Sequence, residues 1–547
     1  MRKPNMSIKK LTGLLLSLTS LGLMVACSQK PASDLSSKDK NLITVDNGDD
    51  APTIDPTISQ DTTSSRVLYD LFEGLTSFDQ SQKTIPGLAE KWEVSPDGKT
   101  YTFHLRSGIK FSDSSPITAE DVVFSWQRLV DPKMASPYSI LANNLVNANK
   151  IIAGKLPLDQ LGVKALDAQT IQINLINPDS SFLQICAMPN VAIMSKANVT
   201  KFGQAWTNPK NIVTSGAYTL SEWIIQGHML LTKNPNYYDA KSVAIEKVNI
   251  LPIVDTNSSL NRYKTGEIDI THWSPVDQYK QLKLDYPTQF HTVTQEGLSY
   301  YDLNMTLAKF KNNPQLRQAL SMAVDRQAIV KEVLGQGQIP AYSYATSTVE
   351  NGKFAGLDYP WASWPRDKQI ATAQELFKAA GYGPNNPLKL MINYNTNDGN
   401  KKLALAIGSM WQQVFGTGIQ VTQANQEWKT FLKARNKADY DVGRDAWIAD
   451  YNSVDSYTNL YQCGNLQNNA KSCNPEYDKL IAQAQASQDP EQRVKLIRQA
   501  LQLVQNDYAI IPLYQYTYTR LVSPRVKGYD IDANHLDHVM SKWYKLD

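Results

Sequence analysis

The sequence predicts a mixed α/β protein built from several lobes. Stretches with the two-residue alternation of strands and stretches with the periodicity of amphipathic helices follow one another irregularly along the chain. No internal repeat is present at the periods typical of solenoids and propellers, which excludes those architectures. The 547 residues suffice for roughly two to four domains.

The clearest strand patterns lie in the first third of the chain. TYTFHLR (100–106) places Tyr101, Phe103 and Leu105 on one face, which is typical of a half-buried strand. The turn sequence SPDGK precedes it and follows WEV, so the two runs predict a hairpin. TIQINLI (170–176) alternates in the same way.

Helices are predicted by their start signals. Thr118 can cap the helix of PITAEDVVFSW, with acidic residues in its first turn. Asp489 can cap a second helix, and Pro490 suits its first position. Its apolar face is formed by Val494, Ile497, Leu501 and Val504. The stretch NNPQLRQALSMAVDRQAIVKEVL (312–334) predicts a further helix.

The N-terminus is predicted to direct export. Basic residues precede the uncharged apolar run 11–26, so residues 1–26 resemble a secretory signal. The run ends in LMVAC, which resembles the lipobox of bacterial lipoproteins, with Met24 at the usual leucine position. Cys27 is therefore predicted to be lipidated; the alternative is a cleaved signal with a chance cysteine. Residues 27–40 are polar and predict a flexible tether.

Charge and cysteine content narrow the class of protein. The 55 basic and 52 acidic residues argue against a nucleic-acid partner. Cys463 and Cys473 flank the polar stretch CGNLQNNAKSC. Export permits disulfides, and closing this loop would stabilise the fold by about 2–3 kcal/mol, so a disulfide is predicted. Cys186 is predicted to be a buried thiol.

Catalytic and metal-binding motifs are missing from the sequence. There is no Gly-x-Ser-x-Gly, His-Glu-x-x-His, Walker or Gly-x-Gly-x-x-Gly pattern. His535 and His538 lie close together but are predicted to be surface residues, and neither a metal nor another cofactor is expected. We therefore predict a binding protein, with a secreted hydrolase as the alternative, because any two carboxylates could meet in space. The 27 Tyr and 11 Trp residues suit ligand clefts as well as cores.

One carboxylate has no obvious partner. The stretch DAWIADYN (445–452) predicts a strand that runs into a buried site and carries Asp450 with it. No lysine, histidine or cysteine lies nearby in the sequence. Because a buried charge needs a partner, a cation is expected from elsewhere.

Several blocks, in order along the chain, resemble one family, the extracytoplasmic solute-binding proteins of peptide ABC transporters, of the oligopeptide-binding type. The longest block is GLAEKWEVSPDGKTYTFHLRSGIKFSDSSPITAEDVVFSWQRL (87–129), in which Ser114 replaces a usual glycine. The other blocks are RVLYDLFEGL (66–75), TSGAYTL (214–220), LPIVDTNSSLNRYKTGEIDI (251–270), LRQALSMAVDR (316–326), NQEWKTF (425–431), WIADYN (447–452) and IIPLYQYTYTRLVSP (510–524).

The resemblance implies an α/β, three-lobed clamp of the periplasmic-binding-protein type, with two crossing segments near residues 296 and 516. Lobe I would combine 41–72, 198–296 and 517–547. Lobe II would be 73–197, and lobe III would be 297–516. Lobes I and III would close over the ligand, with lobe II at the side.

The resemblance also implies a function. The protein would bind oligopeptides in extended form, largely independent of sequence, and deliver them to the permease and ATPase subunits of an inner-membrane importer. The ligand's α-ammonium would pair with Asp450; the alternative is that Asp450 pairs with Arg444 or another basic group of the chain. One alternative is a narrower ligand, either a dipeptide or a cell-wall muropeptide. Another is a role as an adhesin or a signalling lipoprotein. A monomer in the periplasm, anchored to the membrane by lipid, is expected.

The expected peptide-binding residues follow from the family pattern. Residues 443–447 and 60–62 would flank the peptide as strands, and aromatic side chains would wall its side-chain pockets. The full set is Gln60, Asp61, Thr62, Tyr138, Tyr300, Asp302, Asn400, Trp428, Arg435, Gly443, Arg444, Asp445, Ala446, Trp447, Ile448, Asp450 and Tyr516.

Two departures from the family concern the ligand's carboxylate. Members can use basic or histidine side chains at positions that match Leu334 and Asn400, neither of which carries charge. Arg435 and Arg444 remain as candidate carboxylate partners, which predicts a shifted preference for peptide length. The family also commonly bridges positions matching Gly297 and Ile448, and both cysteines are absent here.

Overall fold

The computed structural model describes residues 41–529 and 534–547. The predicted signal sequence, Cys27 and the tether lie outside these residues. Within the described ranges, no helix is long and apolar enough to cross a membrane.

The described residues form strands throughout the chain, and most are short. In chain order they are β1 Leu42–Asp46, β2 Thr76–Phe78, β3 Thr84–Pro86, β4 Ala89–Val94, β5 Thr100–Leu105, β6 Val163–Ala165, β7 Thr170–Asn174, β8 Tyr218–Ile224, β9 His228–Lys233, β10 Lys247–Leu251, β11 Phe290–Leu303, β12 Ile339–Pro340, β13 Leu388–Asn395, β14 Ile419–Gln426, β15 Val442–Ile448, β16 Ile510–Leu521, β17 Val526–Lys527 and β18 Lys545–Leu546.

The helices lie between these strands and cover the sheets. They are α1 Thr62–Leu71, α2 Ala119–Val130, α3 Ala148–Ile152, α4 Phe182–Ile185, α5 Lys196–Phe202, α6 Thr256–Lys264, α7 Tyr279–Asp285, α8 Ala308–Lys311, α9 Pro314–Ala323, α10 Arg326–Ala328, α11 Val349–Gly352, α12 Arg366–Ala379, α13 Asp398–Phe415, α14 Trp428–Asn436, α15 Asp455–Thr458, α16 Pro475–Ala486 and α17 Pro490–Asp507.

Three larger sheets organise the described residues. The first sheet has the order β1-β10-β9-β8, the second β4-β5-β7-β6, and the third β12-β16-β11-β15-β13-β14. In the first sheet β1 runs parallel to β10, whereas the second sheet is antiparallel throughout. The third sheet is mixed, because β13 runs parallel to both β14 and β15. This arrangement confirms the mixed α/β prediction.

The second sheet confirms the predicted hairpin. Strands β4 and β5 pair antiparallel, and Gly98 in the turn has a φ of +69°, a conformation that glycine adopts without strain. Tyr101, Phe103 and Leu105 are buried while the intervening residues are partly exposed, as the alternation predicts. Helix α2 begins after Thr118, whose side chain and Asp121 form a capping box.

Two long strands connect the first sheet with the third. Strands β11 and β16 pair antiparallel over most of their length, and their register shifts between Thr294 and Leu298. Beyond the shift, Val522 bridges Ile270, which in turn bridges Val45 of the first sheet. The shift lies where the crossing segments are expected, near residues 296 and 516. The predicted lobe boundaries stay a prediction.

The predicted helix over 312–334 is wrong in its continuity. Helix α9 ends before Val324, which is extended, and Asp325 caps the new helix α10. The buried guanidinium of Arg326 donates to the carbonyls of Ser321 and Val324 at the break and to Pro512 on β16. The break therefore lets a buried cation find carbonyl acceptors. By contrast, α17 begins at Pro490 after the cap Asp489, as predicted.

Candidate ligand-binding cleft

A cavity of about 290 Å³ is lined by residues from widely separated segments of the described chain. Thirteen of the expected peptide-binding residues line it, namely Gln60, Asp61, Thr62, Tyr138, Asn400, Trp428, Arg435, Arg444, Ala446, Trp447, Ile448, Asp450 and Tyr516. We call this cavity the cleft.

Four expected residues do not line the cleft: Tyr300, Asp302, Gly443 and Asp445. Tyr300 pairs with Asp445, and Asp302 pairs with Gly443, across the β11–β15 ladder. Arg444, Ala446 and Ile448 of β15 line the cleft, and successive residues of a strand point to opposite faces. Gly443 and Asp445 and their partners on β11 therefore lie on the far face of the sheet, whereas Trp447, near the end of β15, still reaches the cleft.

Asp450 follows the end of β15, and its carboxylate forms one side-chain hydrogen bond with the described residues. Its Oδ1 accepts a hydrogen bond of 3.1 Å from the Tyr138 hydroxyl. No lysine, arginine or histidine of residues 41–529 and 534–547 forms an ion pair with it. Burial raises the pKa of Asp450 to about 7, and the Tyr138 hydrogen bond opposes that rise. The expectation that the chain itself supplies no cation agrees with this geometry.

Ser456 orients Asp450 and the aromatic wall together. Its Oγ accepts a hydrogen bond of 2.9 Å from the Asp450 backbone N–H and one of 3.1 Å from the Trp447 indole. The Trp447 ring stacks on Tyr138, with centroids 6.1 Å apart. Tyr138, Asp450, Ser456 and Trp447 therefore fix one another at this end of the cleft, which we call the Asp450 end.

Strand β15 has an edge that is only partly paired. Its pairing with β13 consists of Ile392↔Val442 and Asn393↔Gly443. Along the other edge β11 pairs with all of Val442–Ile448. Among the described strands, none pairs with residues 444–448 on the β13 side, so an extended chain can add there.

The two candidate carboxylate partners differ in their surroundings. Arg435 is buried and forms an ion pair of 2.6 Å with Asp445, which also accepts a hydrogen bond of 2.8 Å from Asn469. The Arg444 guanidinium donates to the Tyr516 hydroxyl. Within the described ranges no carboxylate lies at ion-pair distance from Arg444. Arg444 is therefore the more available cation.

The two positions that lack the charge found in other family members are part of the cleft wall. Leu334 and Asn400 both line it. The Asn400 amide donates to the side chain of Asn395 at 2.9 Å and carries no charge. In this region Lys402 of α13 lines the cleft and pairs with Asp277.

Polar contacts cross the cleft. Asn436 of α14 donates to Gln60 at 3.0 Å, and the Trp428 indole lies 3.5 Å from Asp61, which caps α1. These contacts join Gln60 and Asp61, which directly precede α1, to helix α14, which packs beside the third sheet.

Sequence reasoning missed a second charged wall of the cleft. Arg66 donates to Asp537, and its guanidinium contacts the His272 ring. His538, predicted to lie on the surface, is instead buried, stacks on Phe78 and lines the cleft. These residues come from distant parts of the chain, so no local pattern brings them together. Within the described residues, no group of three acidic, histidine or cysteine side chains could hold a metal ion.

Comparison with known proteins identifies the family. Residues 83–469 match the family described as bacterial extracellular solute-binding proteins, family 5 Middle. A curated relative is the periplasmic oligopeptide-binding protein OppA of Salmonella typhimurium, which is 39% identical over 529 residues, with 95% of this chain and 96% of the relative covered. These matches span the blocks on which the resemblance depends.

Solved structures of relatives share the fold of this chain, and their TM-scores distinguish two conformations. Haemophilus influenzae OppA in complex with RPPGFSPFR matches with a TM-score of 0.90 at 36% identity, covering 93% of this chain and 99% of that one. The Escherichia coli murein tripeptide binding protein MppA also matches with a TM-score of 0.90 at 36% identity and covers 93% and 99% of the two chains. Its unliganded open form matches with a TM-score of only 0.64, over 93% and 98% of the chains. The cleft described above is therefore not in that open arrangement, and the chain belongs to the family 5 bacterial extracellular solute-binding proteins.

Proposed function

We propose that the protein binds oligopeptides in extended form and pairs their α-ammonium group with Asp450. The observation that carries the proposal is a carboxylate that lines the cleft with a tyrosine hydroxyl as its only side-chain partner among the described residues. A peptide amino terminus has an ordinary pKa of about 7.7–8.0 and is largely cationic at neutral pH. Each charge is costly when desolvated alone and tolerable when paired.

The partly paired edge of β15 supports binding through the peptide backbone. An extended peptide presents alternating N–H and C=O groups that a strand edge can satisfy whatever the side chains are. Trp428, Trp447 and Tyr138 provide broad apolar walls, which adapt to many side chains. Water can bridge the remaining gaps at little cost. Binding that is largely independent of sequence is the expected result.

Arg444 is the proposed partner for the carboxylate of a short peptide. Its guanidinium lines the cleft without an ion-paired carboxylate among residues 41–529 and 534–547, and a planar guanidinium suits a carboxylate. Tyr516, to which Arg444 donates, lies beside Gly297, the register partner of Ile448. Arg444 is thus tied to the part of the cleft that lies next to the Asp450 end.

The relatives support a place in transport rather than catalysis. The Salmonella typhimurium relative is a periplasmic oligopeptide-binding protein, so delivery of peptides to the permease and ATPase of an importer follows as part of the proposal. Lipid attachment at Cys27 would keep the protein at the membrane. A disulfide joins Cys463 and Cys473 in the structure, which suits an exported protein.

Asp450→Asn tests the proposed function. Isothermal titration of a tripeptide with a free amino terminus should give a Kd raised roughly a hundredfold by the substitution, because an unpaired buried ammonium costs about 3 kcal/mol. N-acetylation of the peptide should weaken binding to the wild type by a similar factor and have little effect on the variant.

Asp179→Asn is the matched control for Asp450→Asn. Asp179 is a half-buried carboxyl whose pKa is likewise raised by burial, to about 6, but it lies outside the cleft lining. The Asp179→Asn substitution should leave peptide affinity unchanged. Tight binding of acetylated peptide by the wild type would contradict the proposal.

A further inference from the structure

We propose that Glu350 is a positioning residue for recognition of the ligand's amino terminus. Glu350 binds the loop of residues 451–455, which directly follows Asp450, and through this loop it fixes the direction of the Asp450 carboxylate. This inference rests on the proposed function and deepens it, because it names a residue outside the cleft on which the preference for a free α-ammonium depends.

Glu350 has a backbone conformation that glutamate rarely adopts. Its φ and ψ are 50° and 43°, and the next residue, Asn351, has a φ of 57°. Gly352 continues this left-handed run with a φ of 83°. A residue with a Cβ is disfavoured in this region, whereas glycine is not. Because such conformations persist only where the surroundings require them, the contacts of Glu350 indicate what its conformation serves.

Glu350 contacts the 451–455 loop through both its backbone and its side chain. Its backbone N–H donates to the side-chain oxygen of Asn452 at 3.0 Å. Its Oε1 accepts hydrogen bonds from the Val454 backbone N–H at 3.0 Å and from the Ser453 hydroxyl at 3.2 Å. One residue from a distant segment therefore binds three consecutive residues of the loop.

The side-chain contacts of Glu350 with the loop are largely shielded from water. Ser453 and Val454 are buried, and the Glu350 side chain is 13% exposed. A shielded donor that loses its acceptor is costly. Arg493 of α17 lies 3.8 Å from the same Oε1 and also pairs with Asp455 at 2.6 Å. The charge of Glu350 is thus offset, and its carboxylate stays in place as an acceptor for the loop.

The two ends of the 451–455 loop meet at Ser456. The Ser456 Oγ accepts from the Asp450 backbone N–H at 2.9 Å and from the Trp447 indole at 3.1 Å. Ser456 orients Asp450 to the extent that the loop between them keeps its shape, and Glu350 binds the middle of that loop. A carboxylate that is oriented before the ligand arrives loses less conformational entropy on pairing, which favours binding of the ammonium.

The test measures, by isothermal titration, the ratio of affinities for a tripeptide with a free amino terminus and for its N-acetylated form. Glu350 lies outside the cleft lining, so its substitution removes no contact with the ligand. Glu350→Ala should reduce this ratio from about a hundredfold to about tenfold, because two donors of the loop lose their acceptor. Glu350→Gln keeps an oxygen acceptor at the same position and should retain most of the wild-type ratio.

Glu350→Gly separates the effect of the side chain from that of the backbone. Glycine adopts a φ of 50° without strain but supplies no acceptor. The thermal midpoint of Glu350→Gly should therefore exceed that of Glu350→Ala, while the affinity ratio should be reduced equally in both. A ratio that instead follows the thermal midpoint across the three variants would indicate a general loss of stability and would overturn the inference.

Asp441→Ala is the matched control, because Asp441 is a half-buried carboxylate with comparable contacts outside the cleft lining. It accepts a hydrogen bond from the Met391 backbone N–H at 3.0 Å and pairs with Lys309 at 2.8 Å. This variant should retain the wild-type ratio.

Two results would contradict the role of Glu350. One is an unchanged ratio in Glu350→Ala, with or without weaker binding of both peptides, and the other is an equal loss of the ratio in Glu350→Gln and Glu350→Ala. Failure of the proposed function would look different, because the wild type itself would then bind the free and the N-acetylated peptide equally.

Discussion

At the scale of single residues, Asp450 is a carboxyl group that titrates near neutrality. Burial raises its pKa to about 7, and the hydrogen bond from Tyr138, which lowers the pKa, does not offset that rise. The pKa of the neighbouring His538 is lowered to about 4 by burial, so this ring stays neutral at physiological pH. Burial likewise keeps the pKa of the Tyr138 hydroxyl well above its ordinary value. A bound ammonium would thus be the nearest positive charge.

The raised pKa predicts a maximum in the pH dependence of peptide affinity. In the arrangement described here burial raises the pKa of Asp450 to about 7, and a bound ammonium lowers that pKa, so affinity is expected to rise with pH through this region. Above about pH 8 the ligand amine loses its proton and affinity falls. Titration calorimetry should show affinity about tenfold weaker at pH 5.5 than near pH 7.5.

The variant Asp450→Asn separates this effect from other titrating groups. Asp49 also lines the cleft, and burial raises its pKa to about 6. If Asp450 is responsible, the variant should lose the dependence around pH 7. A variant profile that parallels the wild type would assign the dependence to Asp49 or another group.

At the scale of elements, the loop closed by the disulfide supports the wall of the cleft. The Cα atoms of Cys463 and Cys473 lie 4.6 Å apart. Within the loop, Asn469 donates to Asp445, the partner of Arg435, and its carbonyl accepts from the Tyr440 hydroxyl. The loop thereby holds the carboxylate that fixes a cation of the cleft.

Removing the disulfide should lower the free energy of unfolding. In the loop-entropy model, a loop of this length contributes about 3 kcal/mol. Urea unfolding of Cys463→Ser/Cys473→Ser should show a lower midpoint than the oxidised wild type. Reductant should lower the midpoint of the wild type and leave that of the double variant unchanged. An equal effect of reductant on both proteins would contradict this assignment.

Elements with local signals could be predicted from the sequence. Helices α2 and α17 begin where Thr118 and Asp489 indicate, because a cap acts within one turn. The break after α9 could not be predicted in this way, since the acceptors of Arg326 include Pro512, almost two hundred residues away. A local apolar pattern does not reveal that a buried guanidinium needs those carbonyls.

The site residues that could be predicted from the sequence are those that the resemblance to the family implies. Asp450, Trp447 and Arg444 line the cleft as expected. Asp445 could have been placed on the opposite face by alternation along β15 from Arg444 and Ala446. The burial of His538 could not have been predicted, because Phe78, on which its ring stacks, lies hundreds of residues earlier in the chain.

At the scale of the whole molecule, three polar contacts among the described residues join opposite sides of the cleft. Asn436–Gln60 and Trp428–Asp61 are single hydrogen bonds and Lys402–Asp277 is an ion pair, and all three are at least partly accessible to water. Such contacts are individually weak. The long strands β11 and β16 continue through the region of the register shift. Opening therefore requires little energy at the cleft and bending at those strands.

Peptide binding should make the protein more compact. Small-angle X-ray scattering of ligand-free protein should give a larger radius of gyration than the same sample with saturating tripeptide. Asp450→Asn at the same peptide concentration should remain at the larger value, and at much higher peptide concentration it should approach the smaller one. An identical radius with and without peptide in the wild type would show that closure does not depend on the ligand.

The partly paired edge of β15 has a nutritional consequence. A protein that binds the main chain and the termini of a peptide does not discriminate between peptides by their amino-acid composition. Under the proposed function, one gene product then lets a cell harvest nitrogen and carbon from almost any degraded protein. The same indifference admits harmful mimics, since a toxic group attached to a short peptide with free ends would be imported together with food.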